Sequence, residues 1–359
     1  MSTRRLTAAA LVAGLPWAAT PGLAAAYTAE YVFGDSLSDR GNLAEVYYQQ
    51  NLPYPPSFHD SFTNGNVAVQ VLAQSLGLNA DPSLWVTGFR DVHNLFGGAS
   101  YVPGTNYAVA AATSASQAVG GPAGINLPQQ VAAYNVASAG RADPNALYTV
   151  FIGGNDVRNA ALQGTGTAAV LTGVTTEVGA VAALATAGAR NFLVVNVPNV
   201  GFSPEFRQDH PAVAPTATAL SQQYDAVLAQ GLAAQPLPPG TNLFSFDLYS
   251  YDALVRANAA QFGITNTTDR CFVATPFSAA ATPQCGPNGA NIASFAYWDS
   301  IHPTATMHAL WGQGFERLLA GDLAPSPVPE PPSAALLGAG LLAVGGLARG
   351  RRSRETTGP

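Results

Sequence analysis

Lysine is absent from this 359-residue chain, and all 15 basic residues are arginines. Charge of either sign is sparse, at 10% of residues against 48% apolar ones, which excludes a disordered, self-repelling chain and suits a packed core. No basic cluster interrupts the central part, and no internal repeat runs through it. Cysteine is limited to Cys271 and Cys285. In an oxidising compartment the pair is expected to form a disulfide worth roughly 3 kcal/mol of chain entropy; two free thiols are the alternative.

The two ends differ from the middle. Arg4 and Arg5 precede an apolar stretch from Leu6 to Trp17, and Ala24-Ala25-Ala26 supply the small residues that signal peptidase needs, so residues 1–26 read as a secretory signal peptide. The Arg-Arg pair lacks the surroundings of a twin-arginine signal. At the other end, Val328-Pro329-Glu330-Pro331 leads into an uncharged run from Pro332 to Ala348, followed by Arg349, Arg351, Arg352 and Arg354. At about 1.5 Å per residue that run spans roughly 25 Å, short of the ~30 Å hydrocarbon core. The arrangement resembles the PEP-CTERM sorting signal of Gram-negative bacteria, which implies processing by an exosortase and a transient membrane contact through the tail. An ordinary short anchor with positive-inside arginines is the other reading.

Without residues 1–26 and 329–359 the chain keeps 9 arginines against 19 acids, a net charge of −10. Such a body repels nucleic acid and anionic headgroups, so neither is an expected partner. Within it, short β-rich runs alternate with Ala-rich segments at helical spacing, which predicts one α/β domain with a mostly parallel sheet covered on both faces. Strands are expected at Glu30 to Phe33, Leu147 to Ile152, Asn191 to Val197 and Leu243 to Asp247, with a weaker one at Asn106 to Ala110. Helices are expected at Asn66 to Leu76, Leu127 to Ser138, Gly166 to Ala187, Ala214 to Ala234, Leu248 to Phe262 and Pro303 to Ala320. Ligands of such sheets bind beyond the carboxyl ends of the strands.

Three groups of polar residues fall there. Gly34-Asp35-Ser36-Leu37-Ser38 follows the first strand and places the Ser36 hydroxyl at its end, though Ser36 and Asp39 also have the spacing of a capping box. Asp299 precedes His302 by three residues, an offset no other histidine shares with an acid; the carboxylate can hold Nδ1–H and free Nε2 to accept a proton. Pro303 biases His302 to an extended backbone, which presents the imidazole rather than burying it. A satisfied surface pair is the bland alternative. Gly153-Gly154-Asn155-Asp156 ends the strand Tyr148 to Ile152, where the Asn155 amide can donate to a developing oxyanion; a plain turn is the alternative.

Taken together, the chain resembles the GDSL, or SGNH-type, hydrolases over about residues 28 to 320. Gly34-Asp35-Ser36-Leu37-Ser38-Asp39-Arg40-Gly41-Asn42 matches the first block, Gly153 to Asp156 the third and Trp298-Asp299-Ser300-Ile301-His302-Pro303-Thr304 the last. Ser61 to Asn66 and Val197 to Gly201 match supporting stretches. The resemblance implies a flavodoxin-like three-layer α/β/α fold over residues 27–322, followed by a Pro-rich linker at 323–332 and the tail at 333–359. It implies an exported esterase or lipase, with phospholipase activity included. Ser36 would be the nucleophile, His302 the general base, Asp299 its orienter, and the Ser36 N–H and Asn155 side chain oxyanion donors. The second block departs from the pattern: after Asn106-Tyr107-Ala108-Val109 the family has glycine and this chain has Ala110-Ala111-Ala112, so the third donor is carried over to Ala110. No cofactor or metal is called for. The Gly-x-Ser-x-Gly elbow of the α/β-hydrolases is missing. Hydrolysis of polysaccharide O-acetyl groups is the alternative activity, and a non-catalytic surface protein the alternative of another kind. The aromatic stretch Tyr47 to Phe62 reads either as an acyl groove or as a packed loop.

Overall fold

The computed structural model describes residues 27–49, 61–83, 104–115, 124–273, 282–286 and 289–323. The signal peptide and sorting tail read from the sequence, the linker beyond Leu323, and residues 50–60 of the aromatic stretch lie outside them.

Four parallel strands form the central sheet in the order β1 (Glu30–Gly34), β2 (Leu147–Phe151), β3 (Asn191–Val195) and β4 (Asn242–Phe246). On the outer side of β1 runs the segment around Asn106. It does not form the expected strand; it makes isolated parallel bridges to Val32 and Pro82, with Val32 N–H donating to the Thr105 carbonyl and Tyr107 N–H to that of Val32. Counted as a fifth position, this segment gives the order 2-1-3-4-5 of a flavodoxin-like sheet, whose switch point lies between β1 and β2.

Eight helices accompany the sheet among the described residues: α1 (Asn42–Gln49), α2 (Ala68–Ser75), α3 (Leu127–Ala137), α4 (Gly154–Gln163), α5 (Gly166–Ala187), α6 (Ala214–Ala234), α7 (Leu248–Ala257) and α8 (Ala305–Leu319). Because side chains alternate along a strand, each face of the sheet buries its own set. Tyr148, Val150, Phe192 and Val194 pack with α3 to α6, whereas Leu147, Phe151, Leu193 and Val195 pack with α2, α7 and α8. The chain is thus a three-layer α/β/α fold.

α5 and α6 have the bounds expected from sequence. α1 and α4 were not expected: the first is short, and the glycines that open the second read as a turn. The helix expected over Leu248 to Phe262 stops at Ala257, and a 3₁₀ turn, Ala259–Phe262, follows Asn258. α8 starts two residues late because Pro303 forms an antiparallel bridge with Tyr297 and Thr304 is extended. Beside the sheet, β5 (Asn266–Arg270) pairs in parallel with β8 (Phe295–Tyr297), and β6 (Phe272–Val273) pairs with β7 (Thr282–Pro283). The expected disulfide is present: buried Cys271 and Cys285 are bonded across a Cα separation of 4.8 Å. Cys271 N–H and Phe272 N–H donate to the carbonyls of Tyr297 and Trp298, which ties the bridged segment to the stretch leading to Asp299.

Candidate active site

Gly34 ends β1 where a Cβ would lie 2.5 Å from the Phe151 carbonyl oxygen, so the chain leaves the strand through a residue without one. The side-chain amide of Gln130, on α3, meets Gly34 twice: Gly34 N–H donates to Oε1 at 2.9 Å, and Nε2 donates to the Gly34 carbonyl at 2.8 Å. The turn that follows is built on Asp35, not on Ser36. The Asp35 carbonyl accepts from Ser38 N–H and Asp39 N–H, and its side chain accepts from Leu37 N–H. The capping reading of Ser36 therefore fails, and among the described residues neither the Ser36 hydroxyl nor its N–H makes a hydrogen bond.

Asp39 closes the turn. Its carboxylate accepts from the N–H groups of Gly41, Asn42, Leu43 and Ala110 at 2.8 to 3.1 Å. Asn42 donates to the carbonyls of Asn106 and Ala108, and Asn106 donates to that of Ser38. The first and second blocks are thus fastened together through buried polar groups, each satisfied by the other.

On the opposite wall, His302 Nδ1 lies 2.7 Å from Asp299 Oδ2, and Asp299 Oδ1 accepts from the N–H groups of Ile301 and His302. Both carboxylate oxygens are engaged, which fixes the ring and its tautomer. His302 Nε2 has no hydrogen-bond partner among the described residues. The ring stacks on Phe62 with centroids 5.0 Å apart, and only 2% of His302 is exposed; the imidazole is buried, contrary to the expectation from Pro303. A second element holds this end. Thr63 donates to the Pro303 carbonyl and Asn64 accepts from Ala305 N–H, so the stretch from Ser61 to Asn66 caps α8 from a distance.

Ser36, Asn155 and His302 line one cleft beyond the carboxyl ends of β1 and β2, at the switch point. Leu37, Pro198, Val200 and Ile301 supply apolar wall. Arg158 and Arg256 also reach it, but each is neutralised, by Glu205 and Asp252 respectively, at 2.5 Å. Burial pushes the Asp35 carboxyl up to about 7, against the bond from Leu37 N–H and the proximity of His302. Burial drives His308, on α8, down to about 3, so it is neutral at ordinary pH and its Nδ1 accepts from Ala68 N–H. Among the described residues no three His, Cys, Asp or Glu side chains gather to hold a metal ion.

Two donors expected from sequence fare differently. Asn155, in the first turn of α4, faces the cleft; its amide nitrogen carries two hydrogens, and one goes to the Ala112 carbonyl at 2.9 Å. Ala110 is corrected: its N–H is spent on Asp39 Oδ2 at 2.8 Å and cannot also serve an oxyanion. The next residue, Ala111, sits in the left-handed region at φ 65°, and its N–H makes no hydrogen bond among the described residues. Three successive alanines carry no sequence signal to choose between them. Only the φ angle does so, because an L-residue is held there at a cost of about 1 to 2 kcal/mol. Gln130 was also missed, since a buried glutamine on a helix looks like any other in sequence.

A model of the GDSL-like lipase/acylhydrolase family matches residues 31–315. The thermolabile hemolysin of Vibrio parahaemolyticus is 25% identical over 287 residues, which cover 77% of this chain and 60% of the hemolysin. Lipase 1 of Photorhabdus luminescens is 32% identical over 185 residues, covering 51% of this chain and 24% of that lipase. The chain therefore spans less than two thirds of either bacterial relative. A crystal structure of a catalytic mutant of an acetylxylan esterase from Geobacillus stearothermophilus aligns with a TM-score of 0.38 and 14% identity, over 82% of this chain and 94% of that one.

Proposed function

Since this chain belongs to the GDSL-like lipase/acylhydrolase family, we propose that it hydrolyses carboxylic esters through an acyl-enzyme on Ser36. The observation that carries this is the pairing of His302 Nδ1 with Asp299 while Nε2 and the Ser36 hydroxyl, in the same cleft, both have no hydrogen-bond partner among the described residues. His302 takes the Ser36 proton as Oγ attacks the ester carbonyl. The imidazolium, stabilised by Asp299, then returns the proton to the leaving alcohol, and water activated by His302 releases the acid. The tetrahedral oxyanion is met by the N–H of Ser36, the N–H of Ala111 and the amide of Asn155, donors that need no reorganisation at the moment of reaction.

The apolar wall and the internally neutralised arginines favour an acyl chain or neutral alcohol over a charged one. The Cys271–Cys285 bond and the reading of residues 1–26 as a signal peptide both favour a site of action outside the cytoplasm. A panel of p-nitrophenyl esters from acetyl to palmitoyl, with an acetylated glycan beside it, assigns the acyl group. Wild-type protein is expected to be labelled at Ser36 by a fluorophosphonate, and Ser36→Ala to lose at least about 10³-fold in turnover. Unchanged hydrolysis by Ser36→Ala overturns the reading.

A further inference from the structure

α5 is a 22-residue apolar helix with a single ionisable side chain, Glu177, and that side chain is fully buried. Among the described residues its one side-chain hydrogen bond comes from the hydroxyl of Tyr224, on α6, at 2.6 Å. Tyr224 is itself fully buried. Packing alone does not call for this pair, because a Leu and a Phe would fill the same space without two polar groups to desolvate. What the pair does is join the segments that carry the oxyanion donors. With its hydrogen committed to Glu177, the Tyr224 hydroxyl accepts from Ser114 Oγ at 2.7 Å, three residues beyond Ala111. Ser114 N–H in turn donates to Asp156 Oδ2 at 2.8 Å, next to Asn155. The Tyr224 ring also sets the entry to α4: Gly153, at φ 108°, would place a Cβ 2.5 Å from Cζ of that ring. Both donor segments therefore rest on one side chain.

We propose that Tyr224 is the positioning residue of the oxyanion hole, its hydroxyl anchored by Glu177 so that the Ala111 and Asn155 donors keep a fixed separation. The inference rests on the reading of Ser36 as nucleophile. Tyr224 touches no reacting atom; it acts through the two segments it holds, and displacement of a donor by about 1 Å is enough to lower turnover by as much as ~10²-fold.

The test is steady-state kinetics on a p-nitrophenyl ester with the full chain. Tyr224→Phe keeps the ring against Gly153 and removes only the hydroxyl; kcat is expected to fall at least about 10-fold with KM within about twofold. In an Asn155→Ala background, which itself loses ~10²-fold to 10³-fold, the same change is expected to cost less than about threefold, because both substitutions disable one device. Glu177→Gln, which keeps an acceptor for the hydroxyl, is expected to retain kcat within about threefold, whereas Glu177→Leu reproduces the Tyr224→Phe loss. A Tyr224→Phe protein with wild-type kcat, or one whose loss multiplies fully with that of Asn155→Ala, overturns the proposal. Turnover surviving in Ser36→Ala overturns instead the assignment of the nucleophile.

Discussion

Asp39 accepts hydrogen bonds from four N–H groups drawn from two separate segments, 41–43 and 110, whereas Asp299 takes all of its bonds from within three residues of itself. The first carboxylate builds the turn that carries Ser36, the proposed nucleophile, out of long-range parts; the second builds the turn that carries His302, the proposed base, out of local ones. Damage at the two should therefore be of different kinds. The nucleophile turn should fail by coming apart, and the base turn by losing its chemistry while staying folded.

The largest expected effect is on rate. Asp299→Asn leaves an isosteric side chain but donates an N–H toward His302 Nδ1 and selects the wrong tautomer, so kcat should fall about 10³-fold to 10⁴-fold with little change in thermal midpoint. If the loss is smaller than about tenfold, the base turn is not oriented by this carboxylate. Asp39→Ala should do the reverse and act mainly on stability. Four N–H donors are stranded in a buried site, and a loss of roughly 3 kcal/mol or more is expected in urea unfolding. A midpoint within error of wild type would erase the distinction between the turns.

Next comes pH. Asp35 has its carboxyl pushed up to about 7 in the folded chain against an ordinary value of 3.8, so the folded state keeps a proton that the unfolded state has lost. This contribution is unfavourable to folding as pH rises from about 4 to 7, and each unit in that window removes about 1.4 kcal/mol. Asp35→Asn should flatten the dependence of the urea midpoint across that window by this amount; an unchanged slope would show that the proton is held elsewhere. The smallest effect separates neighbours. Ala111→Gly should raise stability by about 0.5 kcal/mol, as relief of the left-handed backbone outweighs the added chain entropy, while Ala110→Gly should lower it by a similar amount.

The same contrast explains what the sequence made legible. Asp299 and His302 could be read because their relation is an offset along the chain, and Ser36 and Asn155 because they end recognisable strands. The four central strands were visible as apolar β-rich runs, and α5 and α6 to the residue. The bonds that hold the nucleophile turn were not visible. Asp39 reaches Ala110 across 71 positions and Gln130 reaches Gly34 across 96, and no local pattern encodes such partners. α4 was hidden for a related reason, since Gly153 and Gly154 have the composition of a turn yet serve as the entry to a helix. The burial of His302 was missed because Pro303 constrains backbone direction only, while Phe62, from a distant segment, covers the ring.

Gln130 has one more consequence. On the outer side of β1, Val32 is bonded on both its N–H and its carbonyl by the segment at Thr105 and Tyr107, but at Gly34 only Val109 N–H still reaches the carbonyl. The primary amide of Gln130 takes the Gly34 N–H and shares that carbonyl. Such an amide offers a donor and an acceptor in one plane, as a peptide group does, and so stands in for a single rung of ladder with no strand beneath it. This lets the neighbouring segment fork away from β1 two residues before Ser36 without leaving an unpaired N–H at the fork. One glutamine from the helical layer thus completes the hydrogen bonding of β1 at its last residue, where the neighbouring segment no longer does so alone.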